Sequence, residues 1–172
     1  AKGEAEPLFK QAVSAFDRAE KLGIADPALN LTLRQQRALA QRGSGDFKGS
    51  VASLIELLKE KSALNLQIDA AETLQMWGKA ESNKDAYGKA LIGTGKYKDG
   101  KKVKNAVWGW RKLEQLTRGK PKLNDAYRTA LYGSMRTQFE YSVLIKKKQG
   151  VKSSLSFLEK SLNKFKFLKT GP

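Results

Sequence analysis

The chain has 172 residues, 40% hydrophobic and 29% charged, with no Cys and no His. That composition is globular, fits one domain burying roughly 70% of its unfolded surface, and excludes disulfides, Cys/His zinc sites, Cys nucleophiles and His-dependent triads. The net charge of +16 is uneven: residues 1–95 hold 13 Lys/Arg against 12 Asp/Glu, and residues 96–172 hold 20 against 5, so the second half is suited to acidic proteins, nucleic acid or other polyanions.

Apolar and small residues at Leu8, Ala12, Phe16, Ala19 and Leu22 give helical spacing over residues 8–22, with Pro7 in the first turn and Gly23 as the stop. Asp26-Pro27 reads as an N-cap and helix-starting proline for a second helix to about Gln41, with Leu29, Leu33 and Ala38 inward. After the turn Gly43-Ser44-Gly45-Asp46, a third helix buries Val51, Leu54, Ile55 and Leu58. Residues 66–80 form a fourth, with Ile68, Ala71, Leu74 and Trp77 or Met76 inward. Residues 81–102 are less regular: Asp85–Leu91 is a short helix, and Gly93, Gly95 and Asp99-Gly100 break any longer one. A basic helix runs from Asn105 to about Arg118 and ends at Gly119 and Pro121. Asn124 or Asp125 then caps a long helix to about Lys148, its apolar stripe Tyr127, Leu131, Met135, Phe139 and Val143. After Gly150, Ser153 or Ser154 starts a last helix bearing Leu155, Leu158 and Leu162, followed by the apolar tail Phe165–Leu168. No stretch alternates as a strand does. The expected fold is all-α, with seven to eight antiparallel helices joined by short turns.

Two stretches resemble each other. Gly45–Asn65 and Gly95–Asn124 both run Gly-x-aromatic-Lys, then an apolar helix, then Leu-Asn. Such self-similarity points to a repeat array. Small, large and small residues at a spacing of four and three occur at Ala12, Phe16 and Ala19 and at Ser154, Leu158 and Ser161. Ser50, Leu54 and Leu57 match in part, as do Ala106 and Trp110. Ala38 and Ser142 lie twelve positions before Ser50 and Ser154. This pattern, with the Gly-Asp-Phe of residues 45–47, resembles that of tetratricopeptide-repeat (TPR) hairpins. The resemblance implies antiparallel hairpins stacked as a short TPR-like α-solenoid, one repeat domain over residues 1–172. A start without Met, AKGEAEPLFK, suits a processed chain or a piece of a longer array. The family's Trp-Leu-Gly-Tyr run is missing, and the first small residues are 38, 56 and 48 apart where the family repeats at about 34. No Asn/Lys carboxylate clamp is present, so capture of a peptide C-terminus is not carried over.

The basic stretch 96–122 interleaves Lys101, Lys102, Lys104, Arg111 and Lys112 with Tyr97, Trp108 and Trp110. It reads as a phosphate-tracking, base-stacking surface, or more plainly as a solvated face with Trp110 in the core. On the long helix, Arg128, Tyr132 and Arg136 recur every four residues beside the apolar stripe. As the first helix of a hairpin, it would turn that row toward a groove. The pairs Glu56/Glu60 and Asp69/Glu72 have no third ligand near them in sequence, and Gly95-Lys96 lacks the spacing of a P-loop. The expectation is a non-enzymatic, cofactor-free, protein-binding scaffold for an acidic protein or peptide. The alternative is a nucleic-acid or polyanion binder. Expected contact residues are Lys101, Lys102, Lys104, Trp108, Arg111, Lys112, Arg128, Tyr132 and Arg136.

Overall fold

The computed structural model describes residues 2–95, 97–98, 101–102 and 106–170. Among these are eight helices: α1 (Lys2–Leu22), α2 (Pro27–Gly43), α3 (Phe47–Glu60), α4 (Leu64–Ala80), α5 (Lys84–Ile92), α6 (Gly109–Thr117), α7 (Asn124–Gln149) and α8 (Val151–Thr170). A two-rung antiparallel ladder, β1 (Tyr97–Lys98) with β2 (Lys101–Lys102), lies between α5 and α6, and a 3-10 turn, Pro121–Leu123, precedes α7. The protein is all-α. Each helix packs on the next, and α2 also reaches α4, α4 reaches α6, and α5 reaches α7. Contacts between alternate helices make this a stack rather than a string of separate hairpins.

Local chemistry sets most of the boundaries. Asp26 Oδ1 accepts from Ala28 N at 2.8 Å and Leu29 N at 3.3 Å, with Pro27 opening α2. Asp46 Oδ1 accepts from Gly49 N at 2.9 Å and starts α3. Asn83 does the same for α5 through Asp85 N and Ala86 N. Each side chain satisfies N–H groups that a helix start leaves without partners.

The structure differs from the sequence expectation at several places, among them α8, which begins at Val151 rather than at Ser153 or Ser154, and Leu8, Leu22 and Leu29, which face solvent because no described helix packs over them. Helix α1 begins at Lys2, so Pro7 lies inside it rather than in its first turn. Helix α6 begins at Gly109, not Asn105, because Gly109 takes φ +73°, which ends any helical approach from the N-terminal side. Neither Asn124 nor Asp125 caps α7; the preceding residue is Leu123, and the 3-10 turn feeds directly into the helix. The pairing of Tyr97–Lys98 with Lys101–Lys102 falls in a stretch whose sequence predicts no strand.

The core is built from Leu54 and Leu57 of α3, Leu66 and Leu74 of α4, and Val107, Trp110 and Leu113 at and before α6. Of the small residues in the repeat pattern, Ala38, Ser50, Ser142 and Ser154 are fully buried and Ser161 nearly so, whereas Ala12, Ala19 and Ala106 are partly exposed. Small side chains at these points let helix axes come within about 8–10 Å. At the last hairpin, Ser161 Oγ also donates to the Met135 carbonyl across the α7–α8 contact at 3.1 Å. Trp110 packs against Gly133 of α7, where a Cβ would fall 2.5 Å from the indole ring.

Candidate functional site

Three hollows share Arg136 in their linings. The largest, about 1130 Å³, is enclosed by α1, α2 and α4, with Phe9, Phe16, Phe47 and Met76 supplying apolar surface. The second, about 520 Å³, lies where α4 and α5 meet α7, with Lys79, Tyr87 and Glu140 in its lining. The third, about 540 Å³, lies between α7 and α8. Helices α2, α4 and α7 supply most of the first two linings. Of these, α2 and α7 precede a second helix with the small-large-small pattern.

Glu140 organises the part of this groove around Arg136. Its side chain is 13% exposed and meets Lys79 Nζ at 3.5 Å and Arg136 Nε at 3.1 Å through Oε1, while Gln75 Nε2 donates to Oε2 at 3.0 Å. One carboxylate thus faces two cations, and the local balance stays positive. Burial, with Glu140 adding a smaller repulsion, pushes the Tyr87 hydroxyl up to about 12. Arg42, also in the lining, pairs with Glu72 at 2.9 Å. Away from the groove, burial pushes the Asp69 carboxyl up, opposed by the hydrogen bond from Gln35 Nε2 at 2.6 Å. The hydrogen bonds from Arg34 hold the exposed Glu60 carboxyl below its ordinary value.

A second feature is the base of the lysine-rich segment. Gln67, buried in α4, donates through Nε2 to the Ala106 carbonyl and accepts from Trp108 N through Oε1, each at 2.8 Å. Thr94 N donates to the Val107 carbonyl, and Val107 N donates to Thr94 Oγ1, both at 3.1 Å. Gly93, at φ +90°, lies so close to the Val107 carbonyl that any side chain there would collide with it. Residues 94 and 107 are therefore held together, and the chain between them carries Lys96, Lys98, Lys101, Lys102 and Lys104.

The expected contact residues are distributed as follows. Tyr132 and Arg136 line the groove. Arg128 is exposed one turn before Tyr132 but lines none of the three hollows. Arg111 and Lys112 are exposed on α6, also outside the hollows. Trp108 is half-buried against the core, and its backbone N–H donates to Gln67 Oε1. Lys101 and Lys102 form strand β2, and Lys104 lies outside the described residues.

The sequence reading did not single out Phe139, Leu155 or Leu162 as surface residues, yet each is about half exposed. The signal was present. Residues four apart drift by about 40° per step around a helix with 3.6 residues per turn. The row from Tyr127 to Val143 therefore cannot all face one core. Leu131 is buried, while Phe139 and Val143 have turned outward. Arg42, Lys79 and Glu140 carried no sequence signal, because their roles depend on partners on other helices.

No family model, curated protein or solved structure matches the chain.

Proposed function

We propose that the chain is a TPR-like, non-catalytic scaffold that holds an acidic protein or peptide segment along the groove lined by α1, α2, α4, α7 and α8. The observation that carries this reading is the set of three hollows sharing Arg136, apolar in its walls and cationic at Arg42, Lys79 and Arg136. Such a surface suits a segment whose apolar side chains enter the hollows while its carboxylates meet the arginines. Glu140 in the lining and Glu72 beside it are engaged by Arg42, Lys79 and Arg136, and Glu6 in the lining pairs with Lys10. That engagement supports a structural role for them over an acid–base one.

Arg136→Glu combined with Lys79→Glu tests this reading by isothermal titration with acidic peptides. The scaffold reading expects affinity to fall by at least about tenfold, consistent with loss of a charge-assisted contact. Unchanged affinity would refute it. A second reading, polyanion binding, is favoured by the clamp between residues 94 and 107, since the sequence between them carries five lysines. Its test is the salt dependence of oligonucleotide binding: a linear log–log decrease supports it, and no binding at about 50 mM salt refutes it.

A further inference from the structure

We propose that the hollow between α7 and α8 receives an amphipathic helix of about three turns from a partner protein, bearing acidic residues beside its apolar stripe. This rests on the scaffold reading and names the form its ligand takes in one hollow of the groove.

The hollow is walled by Tyr132, Met135 and Phe139 of α7 and by Leu155, Leu162 and Phe165 of α8. Tyr132, Phe139, Leu162 and Phe165 are each just over half exposed. Scattered apolar residues on a surface are ordinary, but a contiguous set lining a hollow marks an interaction site. On α8, Ser154 and Ser161 face inward and are buried, while Leu155 and Leu162 face outward. Among the described residues, Leu155 and Leu162 thus remain about half exposed on the side of α8 away from Ser154 and Ser161.

The length and chemistry of the hollow define its occupant. Leu155 to Phe165 spans ten residues, about 15 Å of helix axis at 1.5 Å per residue, which suits a helix of about three turns. Arg136 and Glu159 line the hollow directly. Lys152 and Lys166 lie seven residues to either side of Glu159 on α8, at a spacing that returns to the same face, and both are exposed. Arg128 precedes Arg136 by two turns on α7 and is exposed, with Asp125 at the far end of that row. With Glu140 paired to Arg136, the margin holds four basic side chains against three carboxylates, a surplus that continues the basic excess of residues 96–172. A second copy of the same face would set like charges against one another, whereas an acidic helix would complement them.

The test uses the full chain and fluorescein-labelled peptides of about fifteen residues. One carries leucines at helical spacing with glutamates between them. A second has lysines in place of the glutamates, and a third has the first peptide's composition with its leucines on alternate positions. The acidic helical peptide is expected to bind, more weakly as salt rises, and the other two to bind at least about tenfold less tightly. Leu155→Gln with Leu162→Gln, both at exposed positions, should weaken binding by about tenfold or more while leaving the circular dichroism unchanged.

Equal binding of the lysine or alternating peptide would overturn the proposal. So would a dimer in sedimentation that the double substitution dissolves, since the occupant would then be a second copy. Binding lost in Met76→Gln but kept in Leu155→Gln/Leu162→Gln would move the contact to the α1–α2–α4 hollow, ending this inference while leaving the scaffold reading intact. If no acidic peptide binds, both fall.

Discussion

Asp17 of α1 holds Arg37 of α2, Glu60 of α3 holds Arg34 of α2, and Glu72 of α4 holds Arg42 of α2. In the first five helices, carboxylates tie neighbouring helices to one another, and the charge of that region is nearly balanced. In α6–α8 two of the four carboxylates are shared: Glu114 meets Arg118 and Lys164, and Glu140 meets Arg136 and, from α4, Lys79. The surplus of basic residues in that half exceeds what such sharing can absorb. The same stacked architecture is therefore cross-linked by charge at its N-terminal end and left cationic at its C-terminal end.

The strongest way to break this contrast is through the packing of the basic half. Trp110→Ala removes a buried indole seated on Gly133 and should cost about 3–5 kcal/mol in urea denaturation. A much smaller loss would mean that α6 and α7 do not depend on that contact.

Next comes the joint between the halves. Gln67→Ala leaves the Ala106 carbonyl and the Trp108 N–H without their partners, and about 1–3 kcal/mol of stability should be lost. Tryptophan fluorescence should shift with it. An unchanged melting temperature would show that Thr94 and Val107 hold the loop base alone.

A double-mutant cycle on Arg42 and Glu72 sharpens the comparison from the other side. The pair is partly exposed, so a coupling of about 0.2–1 kcal/mol is expected. A coupling of zero would remove that ion pair from the account of the N-terminal half.

The smallest effect concerns pH. Folded Tyr87 keeps its proton up to about 12, whereas an unfolded tyrosine releases it near 10. Between those values the folded state binds more protons, so the stability contributed by Tyr87 is complete below about 10 and is lost as pH rises toward 12. Tyr87→Phe should flatten the alkaline slope relative to the parent chain in urea titrations. Identical slopes would contradict burial of the hydroxyl.

Helix order and most boundaries were legible in the sequence because they are written locally. Asp26 before Pro27, Asp46 after Gly45, and Gly23 and Gly150 at helix ends each act within a few residues of their position. The TPR-like pattern of small residues pointed to Ala38, Ser50, Ser142 and Ser154, which are buried, and also to Ala12 and Ala19, which are only partly so. The groove was legible only in part. Tyr132 and Arg136 could be read as a row, but their neighbours Lys79 and Phe9 come from distant helices. Gln67 was invisible for the same reason: a glutamine on an amphipathic helix looks like a solvated residue, and its partners lie about forty positions away. Exposure of Leu155 and Leu162 could not be told from burial, since periodicity gives the face of a helix but not whether anything covers it.

The central claim is most directly tested by amide chemical-shift mapping of the labelled chain titrated with an acidic amphipathic peptide. The scaffold account predicts shifts concentrated at Tyr132, Arg136, Phe139 and the facing residues of α8, extending toward Lys79. Shifts confined to α6 and the lysine-rich segment before it, or none at saturating peptide, would contradict it.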